Sequence, residues 1–271
     1  MNIKNLDRIQ TKLELITRKW WIFLLILVTQ FIPLYTSKGV DLTEIGELTS
    51  AILGTDGLIY SYDVVYIIFK IIPIILVFSI FYLRDRVTRL FSIYVAITYV
   101  LFAFLQNIAV TNEYGLGIVT SNLVVICIVA VFWFWEATAH KNDFMPRKQP
   151  LWKYWVIPFA FLAFWYPANL DTFMPDFNPL YIFTNAAGLF FCMMTPVYLA
   201  ILTFYYPRVN IVTMRVTSFV GLILAFYNIL VNFVMFPDQL WWNGVLHIPL
   251  ITISIYAFFL SFLKIPLGET K

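Results

Sequence analysis

The residue best placed to do chemistry is a lysine inside an apolar run. Lys70 lies in Leu58–Tyr82 with roughly 12 residues, or ~18 Å of helical rise, on either side. That is too far for its ammonium to snorkel easily to water, so it needs a partner or a cavity. Asp63, seven residues earlier, and Tyr66, between the two, share its helical face. Pro73 removes an amide and leaves the Phe69 carbonyl without its helical donor, which predicts a kink one turn beyond Lys70. A charge held inside a membrane can move a proton, bind an ion or ligand, or form a structural pair, most readily with Asp63 or Tyr66 here.

A second set of polar residues points the same way. Gln30, Asp63, Gln106, Asn107, Asn122, Asn185, Asn232, Asn243 and His247 all fall toward the same end of their apolar runs. Gln106, Asn107, Asn185, Asn232 and His247 therefore join Asp63, Tyr66 and Lys70 as a candidate ligand or ion site in a cavity opening outward. The competing reading of each amide is a helix cap or an interhelical hydrogen bond contributing ~1 kcal/mol. Glu136 and His140, an i,i+4 pair with no third ligand nearby, read as a solvated salt-bridge face rather than a metal site. Cys127 and Cys192 show no paired spacing and suggest neither a disulfide nor zinc, and no motif names a cofactor.

These side chains sit in a chain of 271 residues that is 61% hydrophobic, 19% aromatic and 12% charged. Soluble proteins run at about 45–50% apolar and about 25% charged. A net charge of +3 is too small for nucleic-acid binding. Apolar runs bounded by charge give eight spans: Trp20–Tyr35, Leu58–Tyr82, Phe91–Val110, Leu116–Trp135, Tyr154–Pro167, Leu180–Tyr206, Val216–Phe236 and Gly244–Leu263. Their continuity argues against barrel strands, which alternate polar and apolar residues. The expected fold is thus all-α, a polytopic membrane protein with eight transmembrane helices.

Lys and Arg placement orients it. Lys4, Arg8, Lys12, Arg18 and Lys19 precede the first span; Arg84, Arg86 and Arg89 follow the second. Lys141, Arg147, Lys148 and Lys153 follow the fourth, Arg208 and Arg215 the sixth, and Lys264 and Lys271 the eighth. The other side carries Lys38 alone, with Asp41, Glu44, Glu47, Asp56, Glu113, Asp171, Asp176 and Asp238. Both termini are expected in the cytoplasm and the protein in the plasma (inner) membrane, its first span kept as an anchor because no cleavage site follows it. Residues 1–19 form a basic amphipathic segment, with Ile3, Leu6, Ile9, Leu13 and Ile16 on one face and Lys4, Arg8 and Lys12 on another. Such a segment fits an interfacial helix on an anionic leaflet, or else a basic tail that serves only to orient the chain. Residues 265–271 are a short tail. Between spans one and two, Val40, Ile45, Leu48 and Ile52 predict a short amphipathic helix within Val40–Gly54.

Two stretches, 20–140 and 150–264, look alike. Lys19-Trp20-Trp21-Ile22 with Pro33 matches Lys153-Tyr154-Trp155-Val156 with Pro167; Pro73, Phe81-Tyr82 and Arg86-Val87 match Pro196, Phe204-Tyr205 and Arg208-Val209 with one gap. Asn107-Ile108 likewise answers Asn228-Ile229. An even number of helices per unit implies a parallel 4+4 repeat about an axis along the membrane normal.

A retinal protein is set aside, because the last span holds no lysine before Lys264. The stretch Trp241-Trp242-Asn243-Gly244-Val245-Leu246-His247 resembles, with one extra residue, the Trp-Trp-Asn-x-Leu-His of haem-handling proteins in cytochrome c maturation. The Trp-rich loop of that family is absent, so no family is assigned. The expected function is a transporter or channel-like carrier for a small solute or ion, acting between the repeats in a lipid bilayer. The alternatives are a membrane-embedded enzyme acting on a lipid or isoprenoid, for which paired carboxylates or His-rich motifs are missing, and a non-catalytic subunit or sensor of a membrane complex.

Overall fold

The computed structural model describes residues 3–41, 44–54, 58–61, 63–145 and 148–263; Asp56, Arg147, Lys264, Lys271 and the tail 265–271 lie outside them, as does the side chain of Asp63. Helices dominate: α1 (Ile3–Thr17), α2 (Trp20–Val28), α3 (Ile45–Leu53), α4 (Asp63–Leu83), α5 (Asp85–Leu105), α6 (Thr120–Ala139), α7 (Val156–Trp165), α8 (Tyr181–Thr184), α9 (Phe191–Tyr205), α10 (Ile211–Leu230) and α11 (Pro237–Leu260). Among the described residues five helices are long and apolar enough to cross a membrane, or six if the bent pair Tyr181–Leu189 and Phe191–Tyr205 is one span. Their flanks are apolar as well, with Ile75 56% and Phe78 61% exposed on α4. Surfaces of that kind need lipid or another apolar partner, as in an integral membrane protein.

Several expected spans are cut differently. The first ends as α2 plus one 3-10 turn, Thr29–Phe31, because Ile32 turns extended ahead of Pro33. At 1.5 Å per residue that is only ~18 Å of helix, and extended chain covers the remaining distance to Tyr35. The third stops at Leu105, since Ile108–Thr111 is not helix but strand β2. With β3 (Gly115–Ile118) and β1 (Tyr35–Thr36) it forms an antiparallel sheet of order β1-β3-β2, in register Tyr35↔Ile118 and Ala109↔Gly117. The all-α expectation thus gains a small sheet. The amphipathic helix expected in Val40–Gly54 is α3, and it covers this sheet by burying Leu48 and Ile52 with Ala109, Tyr114 and Val119.

Two opposite ends of the bundle gather distant loops. At the basic end, Gln10 of α1 bonds Asn210, Trp135 bonds Gln10, Lys141 pairs with Asp7 at 2.6 Å and Arg208 with Asp143. At the acidic end lie the sheet, α3 and the Pro167 carbonyl, which accepts from Trp242 Nε1. Between the ends, α5, α6, α9, α10 and α11 enclose the main core around Phe91, Tyr99, Trp133 and Tyr198. Hydroxyls tie its helices together: Tyr99 with Thr195, Thr98 with Tyr198, and Trp133 Nε1 to Thr217. The two halves do not pack symmetrically, because α6 lies along α10 while α11 and α5 make no comparable contact.

Glu136 and His140 correct an expectation. Glu136 is fully buried rather than solvated; it accepts from the Lys141 and Asn142 amides and from Asn210 Nδ2. His140 is instead the left-handed residue that ends α6. A carboxylate there satisfies backbone donors where the helix gives way to loop, so no salt bridge is required.

Candidate functional site

Lys70 is fully buried. Because α4 begins at Asp63, it lies two turns into its helix and not midway along one. Among the described residues its partner is Phe164: Nζ donates to the Phe164 carbonyl and lies 4.4 Å from the centroid of the Phe164 ring, while the Asp63 side chain lies outside those residues. Tyr66 donates to the Ile59 carbonyl at 3.0 Å. Phe164 belongs to the last turn of α7, whose final carbonyls have no helical donors. A cation there meets both a free acceptor and the negative end of the helix dipole, an arrangement worth up to ~2 kcal/mol when partly buried.

The same helix end anchors the other polar residues. Asn185 Nδ2 donates to the Trp165 and Tyr166 carbonyls at 2.9 and 3.0 Å, while its Oδ1 accepts from the Ala187 amide. Tyr166 takes a left-handed conformation that ends α7, and its hydroxyl donates to Asn243 Oδ1 at 2.9 Å. Asn243 Nδ2 in turn donates to Asn232 Oδ1 at 2.8 Å. The His247 ring holds the Asn243 carbonyl through Nδ1 at 2.7 Å; since a carbonyl only accepts, Nδ1 is the donor. Phe164–Tyr166 is therefore a hub joining Lys70, Asn185, Asn232, Asn243 and His247.

Two interrupted helices close around that hub. The span expected as Leu180–Tyr206 breaks into α8, a 3-10 turn at Ala186–Leu189, and α9, with a 99° bend. Gly188 makes the break fit: a Cβ there would stand 2.5 Å from the Phe69 carbonyl oxygen, the one that Pro73 deprives of its helical donor. The end of α10 widens into a π-helix at Val231–Met235, where the Asn232 side chain donates to the Asn228 carbonyl at 2.6 Å. Gly244 lets α11 cross it, with an added Cβ only 2.7 Å from the Phe233 ring.

Gln106 and Asn107 serve as caps. Gln106 Oε1 accepts from the Phe191 amide at the start of α9, and Asn107 Nδ2 donates to the Phe102 and Ala103 carbonyls at the end of α5. Phe164, Tyr166, Asn228 and Gly188 are the participants that residue types alone did not single out. Two open concavities of about 400 and 310 Å³ lie elsewhere, along α6 at Cys127 and Val131 and beside the hairpin at Thr111–Tyr114; no candidate residue lines either. Among the described residues no cluster could hold a metal ion. The haem-like stretch lies within α11, where Trp242, Asn243 and His247 make the bonds just given. No family model, curated protein or solved structure matches the chain.

Proposed function

We propose that this protein is a carrier for a small solute or ion in the plasma membrane, with its site where the broken helices meet at Phe164–Tyr166. The observation that supports this reading most is the buried Lys70 ammonium at a helix end, beside a 99° helix break and a polar chain that runs through Asn243 to His247. Discontinuous helices of this kind build sites in secondary transporters, because their free ends present carbonyls and amides inside the bilayer. Eight crossings with both termini cytoplasmic belong to the same proposal. The contacts favour them: α2 leaves the docked α1 and reaches β1, and the α7 segment runs from Lys153, bonded to the Phe204 and Tyr206 carbonyls, to the Pro167–Trp242 contact. The parallel repeat is proposed from the order of elements, each half having a short apolar helix, a proline-bearing helix and a tightly packed pair.

The subunit or sensor reading is favoured by one observation: Gln106, Asn107 and Asn185 spend their polar atoms on internal caps. An embedded enzyme lacks comparable support, since His247 meets no carboxylate among the described residues. Flux separates these readings. Protein in liposomes holding a pH dye, driven by a valinomycin potassium potential, should move protons faster than empty vesicles, and Lys70→Met should abolish the excess while the protein stays folded. Equal flux from a folded Lys70→Met protein, or wild-type flux no faster than empty vesicles, would sink the proposal. If Lys70→Met does not fold, Asn243→Leu carries the same test.

A further inference from the structure

The docked orientation of α1 separates its residues by an unusual rule. Toward the bundle it turns Gln10 and Thr17, both buried, with half-buried Leu6, Leu13 and Glu14. Gln10 bonds Asn210 at 3.0 Å and accepts from Trp135 Nε1 at 2.7 Å, while Thr17 accepts from Arg215 at 2.8 Å. Away from the bundle it exposes Arg8 and Lys12 together with Ile9, Ile16 and Leu15, the last 62% exposed, and Lys19 just beyond the helix is exposed as well. A helix that belonged to a water-facing surface would do the reverse, burying its isoleucines and leaving glutamine outside. The apolar stripe read from the sequence is therefore split, half on the bundle and half facing away beside the cations.

The chain runs on from α1 through Lys19 into the apolar α2, and Trp20 at that junction is 74% exposed. Tryptophan favours the headgroup level of a bilayer, so the outer face of α1 lies at that level as well. Cations and aliphatic side chains intermixed on one face match a surface that is anionic outside and apolar just beneath. We infer that α1 is an anionic-lipid-binding helix: its outer face, through Arg8 and Lys12 with Ile9, Leu15 and Ile16, docks together with the following Lys19 on negatively charged phospholipid headgroups, while Gln10 and Thr17 hold it to the ends of α6, α10 and α11. The occupant is the lipid surface, not a soluble anion, because aliphatic side chains lie among the cations.

Hydrogen exchange on the full chain in nanodiscs tests this. Amides of α1 should exchange more slowly in phosphatidylcholine mixed with phosphatidylglycerol than in phosphatidylcholine alone, with α5 and α6 unchanged. At about 1 kcal/mol per cation near an anionic surface, changing Arg8, Lys12 and Lys19 together to glutamine should remove up to about a hundredfold of that protection. High salt should act in the same direction. Equal exchange in the two lipids would overturn the inference, as would a lipid effect that survives the triple substitution. So would equal protection from inorganic phosphate added to phosphatidylcholine discs, which would identify a free-anion site. Gln10→Leu separates the two faces of the helix, because loosening α1 from the bundle should leave its lipid dependence in place.

Discussion

Gly188→Ala tests the geometry of the helix break with a single methyl group. The added Cβ would stand 2.5 Å from the Phe69 oxygen, 2.8 Å from its carbon and 3.2 Å from the Lys70 nitrogen. All three are backbone atoms of α4, so no rotamer change relieves the clash. The 3-10 turn must withdraw until the first contact reaches the 3.4 Å of ordinary packing. Overpacking of this sort costs about 1–3 kcal/mol, against which alanine returns about 0.4–1 kcal/mol by restricting the unfolded chain. Gly46→Ala in α3 shares that second contribution and has nothing within 4 Å of the new methyl, so it isolates the first. Relative to Gly46→Ala, the Tm of Gly188→Ala in detergent, followed by intrinsic fluorescence, should fall by roughly 2–12 °C, at ~2–4 °C per kcal/mol for a chain of this size. Equal Tm values would refute the close approach, and with it the account of how the Pro73-freed carbonyl is covered.

Arg215→Met removes a buried guanidinium that holds Thr17, the Glu14 carbonyl and Ser261, and should cost about 2–4 kcal/mol with faster proteolysis after α1. Arg215→Lys, which keeps the charge but not the fork, should fall between, and a Met variant as stable as wild type would contradict the clamp. Single cysteines at Asp171 and Lys148, in a background lacking Cys127 and Cys192, should label from opposite sides of the membrane; labelling of both from one side would remove the crossing by α7.

Much of the layout was legible because it follows from apolar length and charge. The segments of Asp7, Lys141, Arg208 and Arg215, which Lys and Arg placement puts on one side, are brought together by side-chain contacts, and α3 follows from Leu48 and Ile52 one turn apart. The hairpin was missed because Ile108–Thr111 continues the apolar run of α5; Asn107, which caps that helix, is the signal that ends it. The break before α9 was missed for a different reason. Ala186-Ala187-Gly188-Leu189 carries no strong breaker, and the turn is fixed by Asn185 and by contact with α4, residues more than a hundred positions away. The partner of Lys70 could not be read at all, since a backbone carbonyl is not a residue type. Burial of Glu136 likewise depends on Asn210, distant in sequence.

Lys70, Lys153 and Arg215 show one solution to buried positive charge. Lys70 takes a carbonyl at the end of α7, Lys153 takes the Phe204 and Tyr206 carbonyls at the end of α9, and Arg215 spans the ends of α1 and α11 through Glu14 and Ser261. A carboxylate partner would have to be stripped of water too, so a buried ion pair returns little net stability. A helix end offers about half a negative charge that is fixed in place and already needs a donor. Lys153 and Arg215 do this at the basic end, near loops and water, where a neutral donor such as glutamine could serve almost as well. Lys70 does it two turns inside α4, between apolar helices, where an ammonium costs most. A cap alone does not account for a charge at that depth, since the Phe164 carbonyl needs only a hydrogen-bond donor. The carrier role proposed above gives an ionisable amine at that depth a use, and flux through Lys70→Met protein is the measurement that addresses it.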